Sequence, residues 1–216
     1  MRKILLTAIF ALSLSSVATA STYDNLIQGA RMGDVDQIQA LLARGASVDT
    51  TDQEGNTLLM LAARDGHGNL VSLLINNRAK LNARNSAGDT ALALAALQGH
   101  LTVVQRLVAA GASQTVPGWP PLVYAAFNGH QKIVDYLLAH GTEINAASDH
   151  GMTALMAAAR GGHIAVIRSL LAANPDVNAL TDRGESALDL ALKFKNTDIA
   201  DLLRARGAKS GQELKP

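Results

Sequence analysis

The histidines are the first candidates for chemistry, because imidazole is both a general base near neutral pH and a common metal ligand. Four of the six follow a glycine, at Gly66-His67, Gly99-His100, Gly129-His130 and Gly162-His163, in steps of 33, 30 and 33 residues. A fixed period of that length reads as stacked structural repeats. Equivalent side chains in adjacent repeats would stand a helix-packing distance apart, about 8–10 Å. Metal bonds are about 2 Å long, so the ladder does not suit a shared ion. Each His is therefore read as fixing its own turn and loop, with metal or catalytic use as the competing reading. His140 and His150 lie outside the ladder, without a carboxylate at ligand spacing, and read as surface residues.

No other chemistry rises from the sequence. With no cysteine, thiol catalysis and cysteine-based metal sites are excluded. There is no G-x-S-x-G, no H-E-x-x-H and no phosphate-cradling glycine loop. Asp149, Asp182 and Glu185 fall in loops, with nothing to pair them as acid and base. The expectation is a non-enzyme without cofactor or metal.

The elements that position the histidines follow from the repeat. An apolar, Ala-rich segment precedes each Gly-His, as in Leu58 to Ala63, Ala91 to Ala96 and Ala154 to Ala159. A second segment follows with apolar residues three and four apart, as in Val103, Val104 and Leu107, or Ile133, Val134 and Leu137. Each unit is thus a short helix, a glycine turn, a longer helix and a loop. Units this small cannot bury their own apolar faces and must stack. Six pairs are expected, centred near Gly33, Gly66, Gly99, Gly129, Gly162 and Lys195. The first and last are more polar and read as caps. Residues 21–208 form this repeat domain, and residues 209–216 a flexible tail.

Residues 1–20 have the layout of a secretory signal peptide. Arg2 and Lys3 precede an apolar run from Ile4 to Val17, and Ala18-Thr19-Ala20 is a cleavage signal. Cleavage after Ala20 leaves an exported chain without stable membrane insertion. An uncleaved anchor on an envelope structural protein is the alternative. Two of the 19 basic residues leave with the leader, so 17 face 18 acidic ones. The signs are interspersed, which gives no support to nucleic-acid binding.

The repeat resembles the ankyrin repeat. Its T-P-L-H-x-A signature appears in degenerate form as Thr90-Ala91-Leu92-Ala93-Leu94-Ala95 and as Pro120-Pro121-Leu122-Val123-Tyr124-Ala125. The apolar helix after Gly-His and Asn82, Asn145 and Asn178 complete the likeness. No repeat keeps the signature His; Met60, Ala93, Val123, Met156 and Asp189 stand there, which puts its hydrogen bonds in doubt. The resemblance implies an all-α solenoid with short finger loops and a non-catalytic, monomeric, protein-binding role. Together with the leader it is similar to small periplasmic bacterial ankyrin proteins. That implies a partner such as a periplasmic enzyme, catalase for example, or a toxin to be neutralised.

The short step marks the special repeat. From Gly111 to Leu122 the connection lacks three residues found between Arg78 and Leu92. In its place stands Thr115-Val116-Pro117-Gly118-Trp119-Pro120-Pro121, with three of the five prolines and the single Trp. Prolines cannot donate ladder hydrogen bonds, so a regular hairpin finger is not expected. Trp119 either packs over the gap, with Tyr124 as local core, or anchors a partner, as Trp and Tyr favour. Phe127, at the position of Arg64, Leu97 and Arg160, is expected to face outward or toward the groove. In ankyrin proteins partners bind the surface made by finger tips and first helices. Carried onto this chain, that surface includes Arg64, Asp65, Asp89, Gln98, Trp119, Tyr124, Phe127, Asn128, Met152 and Arg160.

Overall fold

The computed structural model describes residues 22–215. The leader assigned to residues 1–20 lies outside them. Among the described residues there are only helices, turns and two isolated bridges, in six consecutive helix pairs. The first pair is α1 (22–32) and α2 (Val35–Ala43). Then come α3 (Leu58–Arg64) with α4 (Gly68–Asn76), α5 (Ala91–Gln98) with α6 (Leu101–Ala109), and α7 (Pro121–Phe127) with α8 (Gln131–Ala139). The last two are α9 (Ala154–Gly161) with α10 (Ile164–Ala172), and α11 (Ala187–Lys193) with α12 (Thr197–Ala205). The expected all-α solenoid of six helix-turn-helix units is what the chain forms. No helix of the described residues is long and apolar enough to cross a membrane.

The two helices of a pair differ because their sequences do. In α3, every residue from Leu58 to Ala63 is buried, and α9 is the same from Ala154 to Ala159. A helix apolar all round must lie inside. Here it lies between the first helices of the neighbouring units, and the fully buried pairs Ala62-Ala63, Ala125-Ala126 and Ala158-Ala159 let those backbones approach. The second helices bury one stripe only. In α6, Val103, Val104 and Leu107 face in while Gln105 is exposed.

First helices start at a hydroxyl cap. The side chains of Thr57, Thr90, Thr153 and Ser186 accept from the backbone N–H three residues on, at 3.2–3.3 Å. Such a cap contributes about 1 kcal/mol. The residues replacing the signature His partly take over its bonding. Met60 Sδ accepts from Thr57 N at 3.4 Å, and Asp189 Oδ2 accepts from Ser186 N at 2.9 Å. Among the first helices whose cap residue is described, α7 alone begins otherwise, with Pro120 at the cap and Pro121 in the first turn, where a missing N–H costs nothing.

The histidines act between repeats rather than within one. Each Nε2 donates to a carbonyl at the end of the preceding first helix: His67 to Arg31, His100 to Arg64, His130 to Leu97 and His163 to Phe127, at 2.8–3.0 Å. Asn196 does the same from the last pair, donating to Ala159 O at 2.8 Å. The ring lies against the glycine of the unit before it. A Cβ on Gly66 would sit 2.7 Å from the His100 ring, and Gly66 has φ +80° besides. This position therefore requires glycine for close approach and for a left-handed backbone. A second ladder runs along the loops. Side-chain oxygens of Asp49, Asn82, Asn145 and Asn178 accept from the backbone N–H 31 residues on, at 2.8–2.9 Å.

Asn178 extends that ladder into the segment expected to be a flexible tail. Its acceptor holds Lys209 N, and Gly211 N donates to Asp189 Oδ2 at 2.7 Å. Ser210 accepts from Glu213 N, and Leu214 N reaches Ser210 O. The described tail is a turn fastened to α11, because Asp189 offers a carboxylate where other units carry an apolar side chain.

Candidate functional site

Four of the projecting loops close by the same backbone bond: Asp52 N to Asn56 O, Asn85 N to Asp89 O, Ser148 N to Met152 O and Thr181 N to Glu185 O, at 2.9–3.1 Å. An Asp, Asn or Ser side chain seeds the turn in three of them, as Asn85 Oδ1 does by accepting from Ala87 N and Asp89 N. The short loop before α7 has no equivalent of that backbone bond, and its one seeded turn is at its start, where Ser113 Oγ accepts from Thr115 N at 3.3 Å. Pro117 and Pro120 have no N–H, and Gly118 N donates instead to Asp149 Oδ1 of the next loop at 3.0 Å. Gly118 is thereby held between the neighbouring loops, beside Gly88 O of the one before and Asp149 of the one after.

The residue after Gly118 brings the aromatics together. Trp119 stacks on Tyr124 with ring centroids 5.2 Å apart and planes 28° apart. It meets Phe127 edge-to-face at 5.9 Å and 89°. Both geometries match the quadrupoles of the rings. Tyr124 Oη donates to Asp89 Oδ1 of the preceding loop at 2.8 Å. Burial pushes the Tyr124 phenol well above the ordinary tyrosine range, and the bond to Asp89 adds to the shift. Trp119 packs on Tyr124 and Phe127, as the gap-covering reading expected, and also borders a cavity. Phe127, expected to face outward or toward the groove, is half-buried against the core and edge-on to Trp119.

Beside this cluster lies a cavity of about 340 Å³. Trp119 and Met152 form one side, Phe194 and Leu190 the other, and Arg160 stands between them. The Arg160 guanidinium carbon is 5.6 Å from the Phe127 ring centre and 5.1 Å from that of Phe194, within cation–π range. Around the rim, Lys193 Nζ meets Glu185 Oε1 at 2.7 Å and His150 Nδ1 is 3.5 Å from Asp182.

The structure thus groups Trp119, Tyr124, Phe127, Met152 and Arg160 with Asp89 behind them. It leaves four expected residues apart. Arg64 and Asp65 form a bidentate pair with each other, at 2.9 and 3.0 Å, on the end of α3. Gln98 is exposed at the end of α5 and lines no part of this cavity. Asn128 donates to Leu97 O at 2.7 Å, beside the His130 bond to the same oxygen, so it serves stacking. Sequence reasoning missed Phe194, which is 44% exposed; the available signal was an aromatic in an otherwise polar capping repeat.

The comparisons with known proteins agree with this architecture. The ankyrin repeats (3 copies) family matches over residues 26–117, 80–148 and 122–213. No curated protein matches the sequence. Among solved structures, the human ASB11 ankyrin-repeat domain superposes with a TM-score of 0.78 at 24% identity, covering 88% of this chain and 91% of that one. A chain in the complex of the predatory endopeptidase Bd0816 of Bdellovibrio bacteriovorus with the immunity protein Bd3460 superposes with a TM-score of 0.74. It is 32% identical, and 84% of this chain covers 97% of it. Helix pairs joined by Gly-His contacts, projecting loops and matches over most of the sequence lead to one conclusion: the chain belongs to the ankyrin-repeat family.

Proposed function

We propose that this chain is exported to the periplasm, loses residues 1–20, and there binds a partner protein without catalysing a reaction on it. The observation that carries this reading is the open cavity lined by Trp119, Met152, Arg160 and Phe194, with Phe127 packed behind Trp119 and Arg160. Aromatic side chains and Arg are the common anchors of protein interfaces, because they contribute large contact area at small conformational cost. The ladder histidines are engaged in stacking, which favours a structural role for them over a catalytic one. Ankyrin repeats generally mediate protein–protein interaction.

The form of modulation we favour is neutralisation of an enzyme or toxin. Its support is the similar chain found in a complex of an endopeptidase with an immunity protein. Export is tested by fractionation and N-terminal sequencing, with Ser21 expected as the first residue in the periplasmic fraction. Met1 on a membrane-bound form would overturn that part. Binding is tested by crosslinking in the native envelope and identifying what is attached. Trp119→Ala with Phe127→Ala is expected to abolish capture while far-UV circular dichroism stays helical.

A further inference from the structure

Arg160 differs from Lys193, the other cation beside the Phe194 ring. Lys193 is bridged to Glu185, and Arg64 further along is bridged to Asp65. The Arg160 guanidinium makes no hydrogen bond and no ion pair with any described residue; its neighbours are the Phe127 and Phe194 rings. Those two rings hold the exposed side chain in one place and restrict its rotamers. A guanidinium keeps its charge at any physiological pH and offers paired N–H donors in a fork that fits a carboxylate. Beside it the cavity offers Trp119, Met152, Leu190 and Phe194, an apolar wall with no polar demand of its own. Arg183, also on the wall, forms no ion pair among the described residues, so the three cations Arg160, Arg183 and Lys193 exceed the two wall carboxylates, Asp182 and Glu185, by one charge.

Resting on the protein-binding reading above, we propose that the cavity receives an Asp or Glu side chain of the partner protein, together with a bulky apolar residue adjacent to it. The carboxylate takes the fork of Arg160, and the apolar neighbour packs between Trp119 and Phe194. The volume of about 340 Å³ is at the low end of ligand-site sizes and suits a pair of side chains on a loop. Pre-positioning by the rings means little ordering cost remains to be met when the carboxylate arrives.

Trp119 is the only tryptophan, so its fluorescence reports on this cavity directly. The probe is a capped peptide Gly-Leu-Glu-Leu-Gly, titrated into the purified chain beside the same peptide with Gln in place of Glu. The Glu peptide is expected to give a saturable change that weakens with added salt. The Gln peptide, and the Glu peptide against Arg160→Gln, are each expected to bind about tenfold more weakly, the loss typical of a charge-assisted hydrogen bond. Absence of a saturable change, equal binding of the two peptides, or an unaltered Arg160→Gln titration would overturn the proposal. So would anionic phosphatidylglycerol vesicles that saturate the signal as well as the Glu peptide does. Capture of the envelope partner separates the two readings. Full capture by Arg160→Gln with loss in the Trp119→Ala, Phe127→Ala variant removes the acidic subsite and leaves protein binding standing.

Discussion

Tyr124 joins stability to the shape of the site. Its ring supports Trp119 from below, and its hydroxyl ties the repeat to Asp89 of the loop before it. Because burial and the Asp89 carboxylate both favour the neutral phenol, the folded state holds its proton above the ordinary value of 10.0. The unfolded chain loses that proton near the ordinary value, and its deprotonation pulls the equilibrium toward unfolding. The stabilisation is therefore full below pH 10 and declines as pH rises beyond it. Tyr124→Phe removes this dependence. In urea unfolding at pH 8 and at pH 11, the wild type is expected to lose more stability between the two than the variant does. Equal losses would show that the phenol is no more shielded than in the unfolded chain.

Between elements, the Gly-His contact is the recurring joint. Gly66→Ala forces a left-handed alanine against the His100 ring and is expected to cost about 2 kcal/mol. His100→Ala forfeits the bond to Arg64 O and is expected to cost about 1 kcal/mol. Removing the ring also removes the obstacle, so the double variant should fall short of the sum by about 0.5–1 kcal/mol. Strict additivity in urea midpoints would mean that the two positions do not touch. The period, the helix pairs and the buried alanines were all legible in the sequence, because each unit repeats the same apolar spacing. The direction of the histidine bonds was not. A bond spanning 36 residues depends on how one unit is rotated on the next, which no local pattern encodes. The broken step did point to Trp119, Tyr124 and Phe127. Arg64, Asp65 and Asn128 were placed at the same surface by alignment, but each is occupied by a neighbour that alignment does not reveal. Phe194 escaped because it sits one residue beyond the position of Phe127 and Arg160 in its own unit.

In the whole molecule, each unit touches chiefly the next, so stability is a sum of units and of the joints between them. The ends are then the weak points, and the turn after α12 acts as a clasp through Lys209 and Gly211. Deleting residues 209–216 is expected to speed amide exchange in α11 and α12 while leaving α3 to α6 unchanged. Unchanged exchange throughout would show that the clasp carries no stability. The same clasped end bears Phe194 and Lys193, which wall the cavity from one side, while the short loop of the fourth unit walls it from the other. A cavity built from three successive units keeps its shape only if the stack is rigid over that span. Its existence as a partner-binding surface is tested most directly by crosslinking the wild type and the Trp119→Ala, Phe127→Ala variant in the native envelope. A single partner attached to the wild type and missing from the folded variant is the expected result. The same partner recovered in equal yield with the variant, or no partner with either, would contradict it.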